Sequence, residues 1–195
     1  MHDTLFLLLC VIVLATVFDF INGFHDTANA IATSVSTRVL TPKAAVFMAA
    51  ILNMVGAFSG TAVATTVGKG LVTASSITQI TVVSALITAI LWDIITWYLG
   101  LPTSSSHAII SSIVGAAIAT ADTGVIIQKG VYKVLIGLVV SPVLGIILGF
   151  LLMVFLLWLF SGAAPSVVSK LFGRLQIVSA AYMAFSHGNN DAQKT

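Results

Sequence analysis

Glutamate is absent from this sequence, and every acidic residue is an aspartate: Asp3, Asp19, Asp26, Asp93, Asp122 and Asp191. With eight Lys and Arg, charged residues make up 7% of the 195 positions, against about 25% in a typical soluble domain. That scarcity excludes a soluble fold with solvated helix faces. A net charge of +2 without any basic tract leaves no electrostatic footprint for nucleic acid. The single cysteine, Cys10, excludes an internal disulfide. The marks of a cleavable signal peptide are lacking too. Residues 5–18 are apolar, but no basic stretch precedes them, and Asp19-Phe20-Ile21-Asn22 stands where a small-residue cleavage site would be. The first segment reads as a retained membrane helix.

What is present is hydrophobic: 58% of residues, with a mean hydropathy of +1.12. A bilayer core takes roughly 20 apolar residues of helix, and stretches of about that length recur along the chain. The first covers about 4–36, apolar to Phe18 and polar over 19–29, which predicts a broken helix that can unwind at Gly23. A loop with Arg38 and Lys43 leads through Pro42, suited to a first helical turn, into a second helix over 44–66. There Gly56-x-x-x-Gly60 permits close helix packing. After a loop over 67–78 come two apolar stretches, 79–99 and 103–121, joined by Gly100-Leu101-Pro102. They are either two full spans or a re-entrant hairpin, whose turn must be buried in protein or line a cavity. A polar loop from Asp122 to Lys133 precedes a helix over 134–160, with Pro142 expected to kink it and Gly145-x-x-x-Gly149 on one face. Ser161 to Arg174 is expected as a loop, with a last helix from about 175.

Two heptapeptides share the pattern Phe-x-x-Gly-x-x-Asp: Phe20-Ile21-Asn22-Gly23-Phe24-His25-Asp26 and Phe185-Ser186-His187-Gly188-Asn189-Asn190-Asp191. Each puts a carboxylate and amides beside apolar sequence, where charge is expensive. The crossings between them number three or five, depending on whether 79–121 re-enters or spans. Both counts are odd, so the motifs are related by inverted topology, as in secondary transporters. The expected fold is thus an all-α polytopic membrane protein, residues 1–174 being the first membrane repeat and 175–195 the start of a second, inverted one. Loops with Arg38, Lys43, Lys170 and Arg174 oppose loops with Lys69, Lys129 and Lys133, which puts the first set in the cytoplasm and the N-terminus outside.

Three polar constellations carry the chemistry. In the first motif Asn22, Asp26 and Asn29 share a helix face and supply hard oxygen ligands suited to Na⁺ or a proton path. The alternative for Asp26 is an ion pair with a Lys or Arg elsewhere in the bundle. His25 either joins the site or is a satisfied histidine at a helix break. The second constellation, Pro102-Thr103-Ser104-Ser105-Ser106-His107, reads as a helix N-terminus inside the protein, where free N–H groups and hydroxyls make an anion site without any Arg. The bland reading there is a plain N-cap. The third is Ser186 to Lys194, with Asn190 and Asp191 matching the first motif. Asp93 either faces the same cavity or accepts from Trp97.

Asn22-Gly23-Phe24-His25-Asp26-Thr27-Ala28-Asn29-Ala30, Gly100-Leu101-Pro102-Thr103-Ser104-Ser105-Ser106-His107-Ala108 and Ser186-His187-Gly188-Asn189-Asn190-Asp191-Ala192-Gln193-Lys194 together resemble the inorganic phosphate transporter (PiT) family, most of all its bacterial low-affinity members. The resemblance implies a multi-pass cell-membrane symporter of inorganic phosphate driven by H⁺ or Na⁺, with no other cofactor and with metal-complexed phosphate as one form of substrate. It maps the duplicated signature onto Gly23–Asp26 and Gly188–Asp191, and the hairpin motif onto Pro102–His107. Phosphate is then expected at Thr103, Ser104, Ser105, Ser106 and His107, and the coupling cation at Asn22, Asp26, Asn29, Asn190 and Asp191. His25 stands where the family's commonest form has Asn. The chain stops inside the second signature, so a fragment of roughly the first half is expected, one that transports only if two copies assemble into a homo-oligomer. Two other readings remain: a passive anion channel, and an intramembrane metal-dependent hydrolase using His25, Asp26, His107 and His187. The second lacks the paired His spacing of a zinc helix.

Overall fold

The computed structural model describes residues 2–60, 70–101 and 103–191. Six α-helices run through them: α1 (His2–Ser36), α2 (Pro42–Ala57), α3 (Gln79–Tyr98), α4 (Ser105–Ala121), α5 (Gln128–Leu159) and α6 (Pro165–Asp191). No strand occurs among the described residues beyond one isolated bridge, Val72 to Ile126. The all-helical expectation therefore holds. Three of the helices, α1, α3 and α5, are long and apolar enough to cross a bilayer.

Local sequence sets the starts. Thr41 caps α2 by accepting from the Ala44 N–H, with Pro42 in the first turn. Thr78 and Thr81 form a reciprocal capping box on α3. Ser104 caps α4, its Oγ accepting from the His107 N–H.

Four expectations are corrected. The first helix is not broken: α1 runs unbroken through Gly23. A lone glycine costs a helix only about 1 kcal/mol, and Asn22 and Asp26 find their partner sideways in Ser105, so no backbone group must be freed for them. Lys170 and Arg174 do not lie in a loop, because α6 already starts at Pro165; proline fits a first turn, and Lys and Arg are good helix formers. The division at 174/175 accordingly falls inside a continuous helix. Likewise α5 begins at Gln128, taking Lys129 and Lys133 into its first turns, and it continues past Pro142. Finally, α2 ends at Ala57 rather than 66. Lys69, Pro102 and 192–195 lie outside the described residues.

The long α1 is the centre of the bundle. Its first half packs against the α3–α4 pair through Phe18, Ile21, Leu86, Ala89, Ile90 and Ile109, all buried. Its second half packs against α2 and α6 through Ile31, Ala45, Ala49 and Ala184. Ser34 of α1 and Thr37 just beyond its end meet Gln176 of α6, while Asp26 lies beside Asp191, so the two motif-bearing helices run antiparallel. That is the arrangement inverted topology demands. It also gathers Arg38, Lys43, Lys170 and Arg174 near one end of the bundle.

Glycine makes the α2–α6 crossing possible. A Cβ on Gly56 would strike the backbone at Phe185 and Asn189, and one on Gly188 would strike the backbone of Asn53. The two helices touch backbone to backbone there. The α3–α4 turn, with Gly100 at φ +66°, lies against Phe24, Ala28 and Asn29 of α1, and Phe24 stacks edge-on with Trp97 at 5.4 Å. By contrast, no residue of α5 is buried.

Candidate functional site

The first and second constellations meet at one side chain. Ser105, the first residue of α4 and 2% exposed, places its Oγ 2.7 Å from Asn22 Oδ1 and 2.8 Å from Asp26 Oδ2. A hydroxyl carries one proton and cannot donate to two acceptors. Either Asp26 is itself the donor, or the Asn22 amide turns its nitrogen toward Ser105. In both arrangements the three side chains form one hydrogen-bonded unit between α1 and α4. The other Asp26 oxygen lies 2.9 Å from His25 Nδ1. Asp26 therefore takes a histidine and a serine as partners, and the α4 N-terminus, with its positive dipole end, lies beside a carboxylate.

The second motif arrives from the opposite side. Ligand atoms of Asp26, His187 and Asp191 all lie within 4.8 Å of one another. Two ionised carboxylates that close repel by about 3 kcal/mol at an effective dielectric near 20, so the arrangement favours a cation. His187 Nε2 is 3.3 Å from Asp191 Oδ2, one helical turn on, and its Nδ1 is 2.7 Å from Asn53 Oδ1 on α2. A cleft of about 590 Å³ between α1, α2 and α6 reaches Asp19, Asn22, Thr27, Asn53 and His187.

A separate cleft of about 700 Å³ opens beside the α3–α4 pair, lined by Ser84, Thr88, Trp92, Thr103, Ser104 and His107 among others. Thr103 Oγ1 accepts from the Trp92 indole N–H at 3.2 Å. The residues expected to hold an anion thus divide. Thr103, Ser104 and His107 line this cleft, Ser105 turns to α1, and Ser106 is not among the residues that line it. The residues expected to hold a cation divide too. Asp26 and Asp191 come together and Asn22 joins them through Ser105. Asn29 is exposed and lines a smaller cleft of about 370 Å³ with Phe24, His25 and Trp97, and Asn190 is exposed, its amide donating to Ser186. Sequence reasoning omitted Asn53 and Trp92 from the site, left His25 between two readings, and used His187 only within the third constellation and the hydrolase reading. The His187–Asp191 spacing of four and the lone Asn53 in an apolar helix were the signals available.

Residues 22–195 match the family model described as the phosphate transporter family. A probable low-affinity inorganic phosphate transporter of Bacillus subtilis is 46% identical over 196 residues, covering 100% of this chain and 59% of that protein. A protein of the same description from Streptomyces halstedii is 49% identical over 93% of this chain and 86% of its own length. The low-affinity inorganic phosphate transporter PitA of Escherichia coli is 37% identical, with 100% of this chain and 45% of that protein covered. The chain therefore spans about half the length of several relatives. A solved structure, "The sodium-dependent phosphate transporter", superposes with a TM-score of 0.81 at 24% identity, over 96% of this chain and 65% of that one. At that identity the likeness is one of fold.

Proposed function

Because this chain belongs to the phosphate transporter family, and is a multi-pass membrane protein, we propose that it binds inorganic phosphate and moves it across the membrane together with a cation, Na⁺ or H⁺. Phosphate enters the cleft of about 700 Å³ and is held at the α4 N-terminus by the hydroxyls of Thr103 and Ser104, the His107 ring and backbone N–H groups, with no guanidinium needed. The cation is held where Asp26 and Asp191 meet. The protein acts as a transporter, with no covalent chemistry at the site.

One observation carries the reading: Ser105 joins the two sites. It belongs to the turn of backbone that would cradle the anion, and its hydroxyl lies 2.8 Å from Asp26. A shift of α4 on binding phosphate must change the donors around Asp26, and a change of charge at Asp26 must pull on α4. Coupling of this kind is a free energy shared between two ligands and is reciprocal.

Radiolabelled phosphate uptake into proteoliposomes, with and without an imposed Na⁺ or H⁺ gradient, tests the proposal. Gradient-driven uptake is expected, and Asp26→Asn is expected to abolish it while leaving expression intact. Uptake that ignores the gradient would favour a passive anion channel; zinc-dependent hydrolysis without uptake would favour an enzyme.

A further inference from the structure

Four threonines of the apolar helices satisfy their own hydroxyls. Thr16, Thr88, Thr96 and Thr120 each donate to the carbonyl four residues earlier, at 2.8–2.9 Å, which hides the group within its helix. Ser84, Ser111 and Ser112 do not: their side chains make no hydrogen bond among the described residues. All three line the cleft of about 700 Å³ that begins at Thr103 and His107. Ser112 is 9% exposed, so the cleft is what its hydroxyl can reach. An unpaired hydroxyl at membrane depth is costly, and these three require a polar visitor. The α3–α4 pair is tied at both ends, by the Trp92–Thr103 bond at 3.2 Å and by the Thr81 and Thr120 hydroxyls 3.1 Å apart. Between those ties the cleft follows α4 from Ser104 to Ala119, about 22 Å of helix against a hydrocarbon core of about 30 Å.

We propose that this cleft is the path along which phosphate travels between the α4 N-terminus and the end of the pair where Thr81 and Thr120 meet, with Ser84, Ser111 and Ser112 replacing its water on the way. The proposal rests on the reading that phosphate binds at the α4 N-terminus, and adds the route by which it gets there or leaves. Among the described residues that line the cleft none is acidic, and His107 is the single ionisable one. The wall therefore repels no anion and offers a cation no carboxylate. Asp26 and Asp191 are not among its lining residues, so anion and cation are kept on separate sides of α4. Neutral hydroxyls suit a route better than a guanidinium would, because passage needs several sites that bind weakly enough to let go. Gly115 keeps the wall open: nothing lies within 4 Å of a Cβ added there, so a larger side chain at 115 would stand in the cleft.

The test uses the full chain in proteoliposomes, carrying Cys10→Ser so that an introduced cysteine is the single thiol. Ser112→Cys is treated with a methanethiosulfonate that bears a sulfonate, an anion that reacts with thiols only where water reaches them. Labelling is expected, and inorganic phosphate should slow it. Ile94→Cys, exposed on α3 but outside the cleft, should stay unlabelled in the lipid. Two further variants read transport itself. Ser112→Ala should lower the turnover of phosphate uptake about fivefold, the worth of one hydrogen bond, with KM little changed. Gly115→Leu should abolish uptake while radiolabelled phosphate still binds. No labelling of Ser112→Cys by either this reagent or an uncharged one would mean that a protein helix fills the groove, and would overturn the proposal. Labelling that phosphate leaves unchanged, or full uptake by Gly115→Leu, would overturn it too. Phosphate binding to the parent chain separates the two failures: binding retained means that the route alone is wrong, and binding absent means that the anion site beneath it has failed as well.

Discussion

Removing the Ser105 hydroxyl should uncouple two helices that carry different parts of the site. Ser105→Ala deletes the atom lying 2.7 Å from Asn22 and 2.8 Å from Asp26, at a residue 2% exposed where water cannot replace it. Hydrogen bonds to charged groups contribute about 1.5–3 kcal/mol net. Double-mutant cycles between membrane helices average lower, near 0.6, and reach about 1.7 kcal/mol. The burial of Ser105, 2% exposed, places this pair at the upper end of the membrane range, so a coupling of about 1.5 kcal/mol is expected between Ser105→Ala and Asp26→Ala. The single Ser105→Ala change should cost more, about 2 kcal/mol, because it also strips Asn22 of its partner. The assay is unfolding in mixed micelles followed by circular dichroism, for the parent, both single variants and the double variant. Additivity within about 0.5 kcal/mol would refute the bridge and with it the route proposed for coupling.

The remaining predictions concern the scaffold. Gly188→Ala should destabilise by about 1–3 kcal/mol, as overpacking does, because its Cβ meets the Asn53 backbone; the same unfolding assay reads this, and a neutral result would mean α2 and α6 do not cross there. Gly23→Ala should raise stability by up to about 1 kcal/mol, since α1 is continuous and nothing lies within 4 Å of the added methyl. A loss of stability instead would restore a break at that position.

Much of the architecture was legible because hydrophobicity alone dictates it. Apolar runs of spanning length, the Pro42 start and the odd crossing count led to the helices and to an antiparallel pair of motifs. The lateral contacts were not legible. In α1 the same polar stretch was compatible with unwinding or with sideways partners, and the position of Ser105 distinguishes the two. Basic residues at 170 and 174 looked like a loop because charge marks solvent exposure, yet exposure does not end a helix.

Read by itself, the chain determined that it is a membrane protein of paired, inverted motifs, because burying charge in lipid is costly enough to make each intramembrane aspartate informative. Tertiary structure decided which polar atoms face each other. That Ser105 bonds Asp26 depends on α1 meeting α4, and that Asn53 meets His187 depends on α2 and α6, far apart in sequence, crossing at Gly56 and Gly188. No local pattern encodes such a crossing, since an apolar helix offers the same hydrophobic surface on every side until a neighbour selects one.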